Sequence, residues 1–313
     1  MFLVHAFKGL VRAAGAPRLV ALLWLINLLF AGMAALPVAF FLFGHLGDFP
    51  EGDRLLQGGS LELLAILSRE ARGFGPAIRA GLLAAVGFAL LANALVAGGV
   101  LESLTTTDPR PFLHRFGRGA GRFFWRFFRM GLVALPTALL AAAILAGPFF
   151  AVRRRLIETG PETTRLLLGV LGLVTAVVAI AWVTMALDLA RIRVVREDQR
   201  RPIRLFFRTL GTALRHPVRV LGLWLVNTLA FAALLALFFA LRALLPAWSW
   251  AAIAGLLVLQ QLVMIGRATL RVGLWAGELE LASELARIKG WGVSPPAVAA
   301  RPLPAAEAPV PFA

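Results

Sequence analysis

Six stretches of the chain carry apolar residues on every side of a helix rather than in a stripe along one side. They run approximately over 19 to 44, 78 to 101, 130 to 152, 166 to 190, 219 to 244 and 249 to 274. A one-sided stripe marks a helix at a water-facing surface, whereas apolarity all round marks a helix whose surroundings are themselves apolar. A bilayer's hydrocarbon core of ~30 Å takes about 20 helical residues at ~1.5 Å each, and every run reaches that length. Helices pair all their backbone groups internally, which is what lipid requires of a spanning segment. The pattern therefore predicts an all-α polytopic membrane protein with six transmembrane helices.

Between the runs the pattern changes to amphipathic. In residues 203 to 216, Ile203, Phe206, Phe207, Leu210 and Leu214 share one face and Arg204, Arg208 and Arg215 the other. From Phe112 to Arg129, four phenylalanines (Phe112, Phe116, Phe123, Phe127) oppose Arg115, Arg118, Arg122, Arg126 and Arg129. Such helices lie in the interface with the apolar side down. Residues 7 to 29 and 207 to 229 align without gaps and agree at ten of 23 positions, among them Pro17 and Pro217, Trp24 and Trp224, and Asn27 and Asn227. This predicts an internal repeat of a basic elbow, a bend and a helical hairpin. The stretch from Phe112 begins a third, more diverged copy, and three copies pointing one way put the symmetry axis along the membrane normal.

Charge decides the orientation. Of 32 Lys and Arg, 23 fall on one side of the alternating spans, including six from Arg110 to Arg129 and nine from Arg191 to Arg219. Positive residues stay on the cytoplasmic side of short loops, so both termini are expected there, with Arg153, Arg154 and Arg155 as the local exception. The formal charge of +16 suggests phosphate binding, but these cations sit at the ends of apolar runs. Anionic lipid headgroups are their expected partners, not nucleic acid. The preference for Arg over Lys fits a GC-rich bacterial genome, and hence a bacterial cytoplasmic membrane. The chain is 60% hydrophobic and 15% charged, beyond the range of water-soluble domains. The first run is too long for the core of a cleaved signal peptide and reads as a retained span. Tyrosine is absent, so Trp24, Trp125, Trp224, Trp275, Trp248 and Trp250 supply the interfacial aromatics. The membrane domain covers residues 1 to 290, with a short helix in the loop from Ser60 to Arg72, and a Pro/Ala-rich tail at 291 to 313 is expected to be disordered.

Candidate chemistry is sparse. Cysteine is absent, which excludes disulfides and thiolate ligands. The histidines at 5, 45, 114 and 216 have no metal-ligand spacing, and no nucleophile elbow, phosphate loop or dinucleotide fingerprint occurs. The string His114, Arg115, Phe116 lacks the glycine of a phosphodiesterase His-Arg-Gly. No enzyme activity, cofactor or metal is expected. The polar residues inside spans form the candidate intramembrane cluster: Asn27, Asn93, Asp188, Asn227, Gln260, Gln261, Arg267 and Arg271, with Asp188 pairing Arg267 or Arg191. The candidate lipid contacts are Arg115, Arg118, Arg122, Arg126, Arg204 and Arg208. Two classes of function fit. A non-enzymatic scaffold or assembly component predicts a dry core and a membrane-protein partner on the elbows; a small-molecule transporter predicts a polar cavity at the midplane lined by Asn27, Asn227 and Gln260.

Four local strings carry a resemblance: Leu91 to Gly99 (LANALVAGG), Phe123 to Arg129 (FFWRFFR), Asp188 to Arg196 (DLARIRVVR) and Leu214 to Leu225 (LRHPVRVLGLWL). Over residues 5 to 285 the chain resembles uncharacterised six-helix bacterial membrane proteins near the YesL-like proteins and the membrane domain of glycerophosphodiester phosphodiesterases. The resemblance implies a fold and no activity, since the phosphodiesterase catalytic domain has no counterpart here.

Overall fold

The apolar runs and the amphipathic stretches between them all form helix. The computed structural model describes residues 2–46, 87–106, 110–156, 161–199, 201–244 and 250–287. The predicted helix at Ser60 to Arg72, the start of the second span, the turn containing Trp248 and the tail from 291 lie outside them. Among the described residues there are eight helices and no strand. They are α1 (Phe2–Ala14), α2 (Pro17–Leu46), α3 (Gly87–Thr105), α4 (Phe112–Arg155), α5 (Glu162–Glu197), α6 (Pro202–Arg215), α7 (Pro217–Ala243) and α8 (Trp250–Arg287). Five of them, α3, α4, α5, α7 and α8, are long and apolar enough to cross a bilayer, and there are six when the bent pair of α1 and α2 is counted as one span.

Proline sets the bends. Between α1 and α2 the chain turns by 87° at Pro17, and α6 gives way to α7 at Pro217. Proline lacks a backbone N–H and its ring clashes with the preceding turn, so it is favoured at the first turn of a helix and disfavoured in its interior. The two stretches that match in sequence thus follow the same local course. The middle basic stretch does not. Phe112 to Arg155 is one helix of 44 residues, roughly 66 Å long at about 1.5 Å per residue. Where a bend was expected the sequence has Phe127 and its neighbours, which offer no break. Pro136 and Pro148 stay within the helix, as prolines in membrane helices can where neighbouring groups re-satisfy the backbone.

Helices α5 and α8 are similarly overlong, at 36 and 38 residues. With about 20 residues sufficient to span, α4, α5 and α8 extend past the apolar zone on the Arg-rich end. There they pack with α1, α3 and α6. The core is richest at this end, with Phe123, Phe127, Phe206, Ile192, Trp275 and Leu279 fully buried. Nearer the apolar middle the contacts between helices use small residues such as Ala134, Ala138, Ala179 and Ala268, while Leu139, Leu166, Leu173, Leu229 and Leu257 face outward. Outward leucine with inward alanine is the arrangement expected where the solvent is lipid and close backbone approach drives association.

The tightest approach lies between α1 and α8. A Cβ on Gly9 would collide with the backbone of Gly273 and Gly277, so only glycine lets these two helices touch. Helices α3 and α4 repeat the device, because a Cβ on Gly119 would strike Glu102 and the Gly98 carbonyl.

Candidate functional site

The ionisable residues of the described helices concentrate at the Arg-rich end, in a collar that ties the helices together. Its centre is Asp188, 1% exposed. One carboxylate oxygen accepts from Arg191 at 2.8 Å, one turn on in α5, and the other accepts from Arg271 of α8 at 3.2 Å. A buried carboxylate is stable only with such partners. The spacing Asp188 to Arg191 puts both on one helix face, and aromatic faces support the guanidiniums: Arg191 lies 5.6 Å from the Phe127 ring centre and Arg271 4.5 Å from that of Trp275.

Beside them Glu278 is fully buried, and neither of its carboxylate oxygens has a hydrogen-bond partner. Asp188, Arg191 and Arg271 are the charges within its electrostatic reach. Two buried acids therefore lie beside the buried Arg191 and the partly exposed Arg271. Sequence reasoning stopped the sixth span at 274 and missed Glu278. The signal was present in the spacing Arg271, Trp275, Glu278, which repeats one face of α8 at intervals of four and three.

Around this centre run further ties. Arg12 of α1 donates to the Leu104 carbonyl at 2.8 Å and reaches Glu280 of α8 at 3.5 Å. His5 donates to Glu284 at 2.5 Å, and Glu284 also pairs with Arg219 of α7 at 3.2 Å. Arg118 of α4 holds Glu102 of α3 at 3.0 Å. Arg196 of α5 donates to the Leu279 carbonyl of α8 at 3.0 Å. Asp198, capping α5 in the left-handed conformation that Asp tolerates, accepts from Arg126 at 2.5 Å and Arg122 at 3.1 Å. The hydrogen bond from Arg126 is the main influence that holds the Asp198 carboxyl below the ordinary carboxylate range, helped by the nearby charges of Arg122 and Arg126.

The intramembrane candidates do not converge. Asn27, Asn93 and Gln260 are exposed, and Asn227 is half-buried. Gln261 accepts from the Trp24 indole N–H at 2.9 Å, an α2 to α8 link. Arg267 is exposed and lies 5.6 Å from the Phe231 ring centre instead of on Asp188. Of that set only Asp188 and Arg271 meet. The six arginines proposed for headgroups also divide. Arg118, Arg122 and Arg126 are in ion pairs, Arg115 donates to the Thr106 carbonyl at 3.4 Å, and Arg204 and Arg208 are exposed on α6. Among the described residues no group of three His, Asp or Glu is arranged to hold a metal.

Comparison with protein-family models, with curated proteins and with solved structures gives no match for this chain.

Proposed function

We propose that the protein is a non-enzymatic scaffold or assembly component of a bacterial cytoplasmic membrane, with both termini in the cytoplasm. Its elbows present Arg204 and Arg208 to anionic headgroups and to a membrane-protein partner. The observation that supports this reading is the scatter of the intramembrane polar residues. Asn27, Asn93 and Gln260 face away from the helix contacts, and those contacts are filled by alanine, valine and leucine. A carrier needs its polar groups around one path near the midplane. The carrier alternative draws on one feature, the enclosed Glu278 beside Asp188.

The chain lacks cysteine, so single cysteines can report water access directly. Asn27→Cys, Asn227→Cys and Gln260→Cys are expected to resist a membrane-impermeant maleimide in intact and in opened vesicles. Arg204→Cys should react from the cytoplasmic side and Thr163→Cys from the other. Reaction at 227 and 260 from water would replace the scaffold with a carrier, and a reversed pattern at 204 and 163 would reverse the orientation.

A further inference from the structure

We infer that the bend between α1 and α2 builds a binding site for a phosphate-bearing anion, held by Arg18 and Arg115. The 87° turn at Pro17 leaves a cavity of about 320 Å³ between the first turn of α2, the end of α3 and the start of α4. Pro17, Leu19, Leu104 and Phe112 form its apolar wall, and Arg18 and Arg115 its cationic one. The volume is at the small end of the ~300–1,000 Å³ typical of ligand sites.

Among the described residues neither Arg18 nor Arg115 forms an ion pair, whereas Arg12, Arg118, Arg122 and Arg126 each do. Glu102 of α3 is committed to Arg118 and Glu280 of α8 to Arg12 among the described residues. Arg115 spends one terminal nitrogen on a long bond to the Thr106 carbonyl, and its Nε is buried with no acceptor. A buried donor without an acceptor is costly, and an anion in the cavity would relieve that cost. Arg18 is exposed and forms no ion pair among the described residues. The positive end of the 30-residue helix α2 points at the same space. At the other proline bend the corresponding region is neutralised, because Arg219 is paired with Glu284 at 3.2 Å. Two guanidiniums against an apolar wall suit a phosphate oxygen cluster carried on a less polar group. The site goes beyond the scaffold reading and stands or falls separately from it.

The test uses the full chain. Native mass spectrometry compares retention of phosphatidylglycerol with phosphatidylcholine, and a thermal-shift series uses inorganic phosphate and glycerol phosphate in detergent. Each experiment is run on wild type, R18Q, R115Q and the double variant R154Q/R155Q. Loss of one cation should weaken binding about fivefold, the effect of ~1 kcal/mol per basic residue at a membrane surface, while R154Q/R155Q, exposed at the opposite end of α4, should bind as wild type does. Selective retention of phosphatidylglycerol with that variant pattern identifies the source as a lipid headgroup. Protection by the soluble phosphates with the same pattern and no lipid preference identifies a free phosphate compound. Equal weakening in R18Q and R154Q/R155Q, or no preference for either kind of probe, overturns the site. Should R115Q fail to fold, R18Q decides alone, since Arg18 is exposed and forms no ion pair among the described residues.

Discussion

Replacing Asp188 by leucine should be among the most damaging single changes in the collar. The side chain is 1% exposed and is the shared acceptor of Arg191 and Arg271. Removing it leaves the Arg191 side chain, itself 3% exposed, without its hydrogen-bonded counter-charge. Breaking a buried pair from one side costs about 3–5 kcal/mol, whereas replacing both members by apolar groups is often near neutral. Asp188→Leu should therefore cost about 3–5 kcal/mol, and Asp188→Leu with Arg191→Leu clearly less than the sum of the two single changes. Arg271 is a third exposed and stacks on Trp275, so Arg271→Gln should cost only about 1 kcal/mol. Glu278 refines the expectation. Once Asp188 is gone it is the one remaining acid facing the two guanidiniums, so Asp188→Leu in a Glu278→Gln background should exceed the sum of its parts by about 0.5–3 kcal/mol. Equilibrium unfolding in mixed micelles, followed by tryptophan fluorescence, measures all of these. A cost below about 1 kcal/mol for Asp188→Leu, or strict additivity with Arg191→Leu, would refute the account of the collar as a coupled charge network.

Two further outcomes are expected. Gly9→Ala places a methyl group against the backbone of Gly273 and Gly277; forcing α1 from α8 should destabilise the chain by about 1–3 kcal/mol. Gly117→Ala, with open space at its Cβ, should be neutral or slightly stabilising on helix propensity, and the two are compared by thermal unfolding in detergent. The clamp of Arg122 and Arg126 on Asp198 should be pH dependent with a definite sign. Its carboxyl is held below the ordinary value of 3.8, first by the Arg126 hydrogen bond, so the stability it contributes is present above that value and is lost as pH falls through the depressed one. Hydrogen exchange at the end of α5 should then rise on strong acidification in wild type but not in Asp198→Asn, and because the group is exposed the step should shrink with salt. An acid step unchanged in the variant would remove Asp198 from that role.

Much of the architecture was legible because lipid makes a simple demand. A helix that must be apolar on all sides for about 20 residues announces itself in one dimension, as residues 166 to 190 and 219 to 244 do. The proline bends at 17 and 217 were legible for a similarly local reason, the missing N–H. The unbroken course of α4 was not, since Phe112 to Arg129 has the composition of an interfacial helix and nothing in it states whether the helix ends before Met130. The site was read less well. Asn27, Asn93 and Gln260 looked like one cluster because each lies within a span, yet a helix has several sides and membership of a span does not fix which side faces inward.

The sequence by itself determined that the chain is helical, that it belongs in lipid, where it breaks, and which end carries the cations, because each of these follows from residues within a turn or two of one another. Only the tertiary structure decided that Asp188 meets Arg271, that Glu278 is enclosed beside them, that Arg122 and Arg126 close on Asp198, and that Arg18 and Arg115 are left facing an open cavity. Those partners are set by the rotation and crossing of helices far apart in the chain. Close passages at Gly9 and Gly119 hold two such crossings, α1 on α8 and α3 on α4.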